Sequence, residues 1–172
     1  MIRKAVTADI ESVAEIYSKV HTEEEQGRLT VGWARGVYPT RQTAADAVSR
    51  GDLFVDDIEG KIVATGIMNQ IQVPEYADCR WQYDVPASEV MVLHTLIVTP
   101  EECGRGYARK FMEFYESYAL SQGCRYLRMD TQVKNKSARA MYAKLGFKEQ
   151  GTVSCVFNGI AGVQLVCLEK KI

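Results

Sequence analysis

Apolar and polar residues alternate along the chain with two different periods, and the period changes at glycines and prolines. Apolar side chains recur at helical spacing from Ile10 to Val20, and a second helical segment runs from about Thr40 to Arg50. β-like runs follow at Leu53–Val55 and Ile62–Met68, joined by a short turn that contains Gly60. The pattern therefore predicts two helices and then a β-hairpin.

The second half of the chain begins with a nearly continuous apolar run from Val90 to Val98. Such a run is typical of a central strand that is covered on both faces. Beyond it the periodicity predicts a helix, a strand, a helix and two further strands, at 106–121, 126–131, 137–145, about 148–157 and 163–169. The last two strands meet at Asn158-Gly159, which favours a hairpin turn.

With a short edge strand at 2–5, the predicted order is β-α-α-β-β-β-α-β-α-β-β. This order predicts a single mixed α/β domain over residues 1–172, with about seven strands and about four helices. Two segments, 21–39 and 72–88, show no regular pattern. A loop as long as 72–88 inside a compact domain is usually functional or mobile.

Composition excludes several classes of function. The net charge is −1, so we expect neither nucleic acid nor an acidic membrane as a partner. The N-terminal residues contain no apolar core of signal-peptide length, and the five cysteines show no CxxC spacing, so we expect a cytoplasmic location with reduced thiols. The only histidines, His21 and His94, are 73 residues apart, which argues against a metal site.

The stretch VTPEECGRGYARK, residues 98–110, puts a glycine-rich turn between the apolar strand and the next helix. The first N–H groups of a helix have no partner within the helix, and glycine lets a ligand approach the backbone closely. The turn therefore predicts a phosphate site, with Arg105 and Arg109 adding charge. The alternative is an ordinary strand-to-helix turn that contains glycine. The stretch lacks the residues of a Walker A loop and the third glycine of a dinucleotide-binding loop.

Two motifs resemble the GCN5-related N-acetyltransferase (GNAT) superfamily. LIVTPEECGRGYARKFM, residues 96–112, is similar to its motif A, an apolar strand followed by Q/R-x-x-G-x-G/A at a helix start. NKSARAMYAKLGF, residues 135–147, is similar to its motif B. The resemblance implies a GNAT-like fold, with a mostly antiparallel central sheet flanked by helices. One departure is visible, because Cys103 stands at the Q/R position.

The resemblance also implies acetyl-CoA as the co-substrate, with no metal. Its pantetheine arm would lie along the backbone of Leu96, Ile97 and Val98, and Asn135, Ala138 and Tyr142 of the second motif would complete the site. The pyrophosphate would lie on the loop formed by Cys103, Gly104, Arg105, Gly106, Tyr107, Ala108 and Arg109.

Tyr142 matches the tyrosine that protonates the departing thiolate in the family. Attack of an amine on a thioester expels sulfur, and such a reaction needs an acid. Asn135 and Tyr142 are seven residues apart, almost two helical turns, so both should face one side of the helix. Periodicity alone favours the reading of Tyr142 as a core residue beside Met141 and Leu145, and the resemblance favours the acid.

The base is harder to assign, because Val92 stands where many family members carry a glutamate. His94 resembles the histidine that arylalkylamine-acetylating members carry two residues before the apolar triplet, and an imidazole suits proton acceptance near neutral pH. Residues 92, 94, 96 and 98 share one face if the strand has no bulge. Glu89 is the second candidate, and a hydrogen-bonded core histidine is the alternative reading of His94.

The fold would form its acceptor pocket from segments 21–39 and 72–88. They contain four large aromatic residues and several acids, a mixture that suits a cationic amine. The aromatic residues are Trp33, Tyr38, Trp81 and Tyr83. We therefore expect an N-acetyltransferase acting by direct attack of a small cationic or aromatic amine, or of a peptide amine. A non-catalytic acyl-CoA-binding module is the alternative, and a homodimer is possible since family members often dimerise.

Overall fold

A seven-stranded sheet runs through the protein, and the computed structural model describes all residues from 1 to 172. Its strands and helices are, in chain order, β1 Ile2–Lys4, α1 Ile10–Glu25, α2 Arg41–Arg50, β2 Leu53–Ile58, β3 Lys61–Asn69, β4 Val90–Val98, α3 Tyr107–Ser121, β5 Tyr126–Gln132, α4 Lys136–Lys144, β6 Lys148–Phe157 and β7 Ile160–Lys171. None of these helices is long and apolar enough to cross a membrane.

The strands lie in the order β1-β2-β3-β4-β5-β7-β6. Every neighbouring pair is antiparallel except β4 and β5, which are parallel. A parallel pair needs a crossover, and α3 supplies it between these two strands. The predicted mixed, mostly antiparallel sheet of seven strands with four helices is therefore confirmed.

The main departure from the predicted elements lies in segment 21–39. Helix α1 continues to Glu25, five residues beyond its predicted end. The start of α2 agrees with prediction, because the Thr40 hydroxyl accepts a hydrogen bond from the Thr43 amide. Gly51 ends α2 in a left-handed conformation with φ of 74°. The long loop 72–88 holds only two short 3₁₀ helices, Pro74–Asp78 and Ala87–Glu89.

The sheet is covered on both faces. Helices α1 and α2 pack on one face over residues such as Val55 and Ile67, and α3 packs on the other face over Phe54 and Met91. A third apolar cluster lies beneath the loop 72–88 and includes Val92. The continuous apolar run of β4 follows from this arrangement, because both of its faces are buried.

A β-bulge interrupts β4 and corrects one expectation. Ile67 pairs with His94 whereas Thr65 pairs with Ile97, so β4 contains one residue more than β3 between the two pairs. Thr95 takes up this extra length with φ of +55°. Residues 92, 94, 96 and 98 therefore do not share one face, since Leu96 and Val98 pack against the α3 side and Ile97 against the α1 side.

Candidate active site

Strands β4 and β5 separate at the bulge and open a slot in the middle of the sheet. Their parallel pairing ends at Leu93 with Met129, while β5 continues to pair with β7 as far as Gln132. The backbone edge of β4 after Leu93 therefore has no strand opposite it. A cavity of about 420 Å³ lies at this opening, and Leu96 is the member of the predicted apolar triplet that lines it. The side chains of Ile97 and Val98 pack into the cores instead.

The glycine-rich loop follows β4 and leads into α3. Gly104 and Gly106 have φ of +80° and +86°, a region that favours glycine strongly. A Cβ built on either would meet no atom within 4 Å, so the space above the backbone is open. The N–H groups of Gly104, Arg105, Gly106, Ala108 and Arg109 donate to no protein acceptor. The loop is therefore suited to bind a diphosphate, because its backbone is open and its N–H donors are free.

The arginines of this loop are less available than the sequence suggests. Arg105 lies 2.9 Å from a Glu102 oxygen, and Arg109 lies 3.0 Å from a Glu113 oxygen. The Cys103 thiol is exposed, and its one hydrogen bond is to the Thr99 carbonyl, at 3.7 Å. The backbone amides are therefore the part of the loop best suited to hold an anion. Tyr107 begins α3 and its side chain packs against the core.

Helix α4 brings two predicted site residues to the cavity. Asn135 lines the cavity and caps the helix, because its Oδ1 accepts from the Ala138 amide at 3.3 Å. Tyr142 also lines the cavity and is only 7% exposed. No protein group bonds its hydroxyl, and burial, assisted by the negative charge of Asp130, raises the pKa of that phenol. Ala138 packs beside the core.

His94 lines the cavity at the start of the bulge. Its Nε2 lies 3.1 Å from Oδ1 of Asn69, whose Nδ2 donates to Asp52 at 2.8 Å. Burial lowers the pKa of the imidazole to about 4, although the backbone of Ile71 opposes the change. His94 is therefore neutral at physiological pH and is a weaker base than an ordinary histidine.

Asp130, on β5 directly opposite the slot, is the residue that the sequence analysis missed. It lines the cavity together with Tyr142 and His94. Burial raises the pKa of its carboxyl from 3.8 to about 7, while a hydrogen bond from the Tyr76 hydroxyl works against the rise. A carboxyl that titrates near neutral pH in a cavity is typical of acid–base sites. The only signal in the sequence is an acid within the predicted strand 126–131.

Other candidates lie away from the cavity. Glu89 is exposed at the end of a 3₁₀ helix and does not line the cavity, so the geometry gives no support to it as a base. Trp81 and Tyr83 pack against the sheet beside Arg128 and Tyr126 instead of lining the cavity.

The glutamate run in α1 is structural. Glu23 pairs with Arg28, Glu24 accepts the Val31 and Gly32 amides, and Glu25 pairs with Arg35. These contacts fold segment 27–35 back on the helix, so the three carboxylates are used before any ligand arrives.

The open side of the cavity is lined by aromatic and charged side chains. Trp33 packs edge-on against Tyr38 at 6.3 Å between ring centroids, and both line the cavity. Asp46 and Arg50 of α2 also line it, and Arg50 is held by Asp52 at 2.8 Å. Charges of both signs therefore stand at this wall, with Asp130 deeper inside.

Comparison with known proteins agrees with this geometry. Residues 11–147 match the family model described as the acetyltransferase (GNAT) family. The chain belongs to the GNAT family. An uncharacterised N-acetyltransferase of Methanocaldococcus jannaschii is 26% identical over 153 residues, which are 88% of this chain. The matched part is 62% of that relative's length, so the chain spans less than two thirds of it.

Solved structures share the GNAT fold at low sequence identity. A GNAT-family acetyltransferase of Streptococcus agalactiae matches with a TM-score of 0.79 and 21% identity, covering 100% of this chain and 95% of that one. A Salmonella typhimurium protein described as an acetyltransferase, solved with its cofactor acetyl-CoA, matches with a TM-score of 0.72 and 16% identity, covering 99% and 92%.

Proposed function

We propose that this GNAT protein transfers an acetyl group from acetyl-CoA to a primary amine held in the cavity. The observation that carries the proposal is the presence of three features on β4, in the loop that follows it and in the cavity beside it. These are the free backbone edge of β4, the unpaired amides of the glycine-rich loop, and a cavity that holds both Asp130 and Tyr142. The structure solved with acetyl-CoA has the same fold, which supports the choice of co-substrate.

The chain's own groups suit a coenzyme of this shape. The amides of residues 104–106, 108 and 109 would hold the pyrophosphate, and the free edge of β4 at Leu96 would hold the amide-rich pantetheine arm. Asn135 also lines the cavity. The coenzyme supplies the thioester, and the protein supplies orientation and polarising N–H groups.

Two cavity residues are suited to move protons. An attacking amine must lose a proton, and the best base has a pKa close to the working pH. Asp130, with a pKa of about 7, meets this requirement better than His94, with a pKa of about 4. The phenol of Tyr142, whose pKa is raised, stays protonated across the physiological range and can donate to the leaving thiolate.

The acceptor is expected to be a small amine or the exposed end of a peptide. Trp33 and Tyr38 offer ring surfaces, and Asp46 and Asp130 offer carboxylates, so the lining suits an ammonium group beside an apolar body. Arg50 at the same wall adds a place for a carboxylate or hydroxyl of the acceptor.

The test measures binding and turnover separately. Calorimetry with coenzyme A should show binding, and an amine panel assayed by release of free thiol should show acetyl transfer that depends on the amine. Asp130→Asn serves as the control, since it should bind the coenzyme and turn over poorly. Binding without amine-dependent thiol release from any amine would instead make the protein an acyl-CoA-binding module.

A further inference from the structure

One hydrogen bond joins the loop 72–88 to the Asp130 carboxylate. The Tyr76 hydroxyl donates to Oδ2 of Asp130 at 2.8 Å. Tyr76 is 2% exposed and lies in the 3₁₀ helix Pro74–Asp78. It is 54 residues away from Asp130 in sequence. Tyr76 does not itself line the cavity, so it can influence a bound amine only through Asp130.

A buried ion pair locks the loop in this position. Arg128 and Glu169, 5% and 1% exposed, lie 3.0 Å apart, and Glu169 also accepts the amides of Gln82 and Tyr83. The Arg128 guanidinium lies 4.2 Å from the ring centroid of Trp81. Such fully enclosed contacts hold the backbone far more firmly than exposed loop contacts do.

Trp81 in turn holds Tyr76 in place. Its ring packs edge-on against the Tyr76 ring at 5.0 Å, and its indole N–H donates to the Tyr76 carbonyl at 3.0 Å. The phenol is therefore fixed in both position and direction before any substrate binds. Preorganisation of this kind is what a proton-transfer site needs from its supporting residues.

We propose that Tyr76 is a positioning residue that fixes the orientation of the Asp130 carboxylate and favours its ionised form. The proposal rests on the proposed function, in which Asp130 accepts the proton of the attacking amine. One carboxylate oxygen stays bound to Tyr76, which leaves the other free for the amine. A hydrogen bond donated to a carboxylate favours its charged form.

The groups around Asp130 make the Tyr76 hydroxyl important for the ionised carboxylate. Burial and the negative charge of Glu75 raise the pKa of the Asp130 carboxyl, and the Tyr76 hydroxyl opposes them. The other titratable groups that face Asp130 come from segment 21–39, α4, β6 and β7, and they are neutral phenols and thiols at physiological pH. They are Tyr38, Tyr142, Cys155 and Cys167. Arg50 and His94 line the same cavity, but Arg50 is paired with Asp52 and His94 is neutral, so the Tyr76 phenol is the one group that donates a hydrogen bond to the carboxylate.

Tyr76→Phe removes the hydroxyl and keeps the ring that packs on Trp81. The acid limb of the pH profile of kcat/KM should move to higher pH by about one unit. The loss of rate should be largest below neutral pH and should shrink at alkaline pH, where Asp130 is ionised in both proteins. Tyr83→Phe, which removes a hydroxyl from the same loop, should behave as wild type. A rate loss that is equal at every pH would overturn the proposal.

A second measurement is independent of turnover. Carbon-13 NMR of aspartate-labelled protein follows the titration of the Asp130 carboxyl directly, with Asp130→Asn to assign the signal. Tyr76→Phe should raise the pH midpoint of this titration. If that variant does not fold, Trp81→Phe should raise the midpoint by a smaller amount. An unchanged midpoint would remove Tyr76 from its role while leaving the acetyltransferase proposal intact. Absence of amine-dependent thiol release from wild type would instead end the proposed function and this role with it.

Discussion

Nε2 of His94 lies 3.1 Å from Oδ1 of Asn69, and the neighbouring groups decide which atom carries the proton. The Asp52 carboxylate accepts from the Asn69 amide nitrogen, and the Ile71 N–H donates to the Asn69 oxygen. The Asn69 oxygen can therefore only accept, and Nε2 of His94 must donate to it. Because burial also lowers the pKa of the ring to about 4, the imidazole is neutral and carries its one proton on Nε2.

We predict different outcomes for the two candidate bases. Asp130→Asn should lower kcat by about 100-fold or more, because it removes the group whose pKa lies near 7. His94→Ala should cost less than Asp130→Asn, because an imidazole with a pKa of about 4 is a poor proton acceptor. Thiol-release kinetics over a range of pH check this. The acid limb should vanish only in Asp130→Asn, and its loss in His94→Ala would give the base role to His94.

Tyr142→Phe should separate turnover from binding. The hydroxyl has no protein partner and lines the cavity, so its removal should leave the fold and coenzyme A affinity nearly unchanged. The variant should lose about 100-fold in kcat if the phenol protonates the leaving thiolate. Calorimetry and thiol-release assays on the same preparation measure the two quantities. Equal turnover in wild type and variant would rule Tyr142 out as the acid.

Gly106→Glu should weaken coenzyme A binding by roughly 100-fold, because a carboxylate would stand over the free amides that hold the pyrophosphate. Backbone strain alone costs about 1–2 kcal/mol of stability at a φ of +86°. Gly123→Glu is the matched control, since Gly123 has φ of +78° just beyond the opposite end of α3 and similarly open surroundings. The two variants should lose similar stability, and only Gly106→Glu should lose calorimetric binding. Equal coenzyme A affinities for Gly106→Glu and Gly123→Glu would contradict the assignment of the glycine-rich loop as the pyrophosphate site.

Much of the fold could be predicted from periodicity, because most of its elements are amphipathic or buried in a regular way. The bulge could not, since Thr95 is a β-branched residue that ordinarily favours extended strand. Its left-handed backbone is supported by the Tyr38 hydroxyl, which hydrogen-bonds the Thr95 hydroxyl from 57 residues away. A contact of that sequence separation leaves no local pattern, and the condition of an unbroken strand, on which a shared face of residues 92–98 depends, is not met.

The candidate site divides in the same way. The glycine-rich loop and Tyr142 carry local motifs, and the sequence predicts both as site residues. Asp130 carries none, because an aspartate between Met129 and Thr131 reads as an ordinary polar residue of a strand. Its properties arise from enclosure between β4, β7 and the loop 72–88, and from a tyrosine far away in the chain. Glu89 was proposed from nearness to β4 in sequence, yet it faces solvent.

Asp130 should also make the stability of the protein depend on pH. Its pKa is about 7 in the folded protein and 3.8 ordinarily, so folding favours the protonated form. The stability it confers is complete below about pH 4 and is lost as pH rises to about 7, by roughly 2–4 kcal/mol.

Asp130→Asn cannot ionise and should avoid this loss. The variant should therefore gain stability relative to wild type at neutral and alkaline pH while losing turnover, as expected where a destabilising acid is kept for function. Urea unfolding at acidic and alkaline pH measures the difference, and Asp78→Asn, an exposed aspartate in the loop 72–88, should track wild type. If the free energy of unfolding of wild type and of Asp130→Asn depended on pH in the same way, the Asp130 carboxyl would titrate normally. The proposal that Asp130 is the base would then fail.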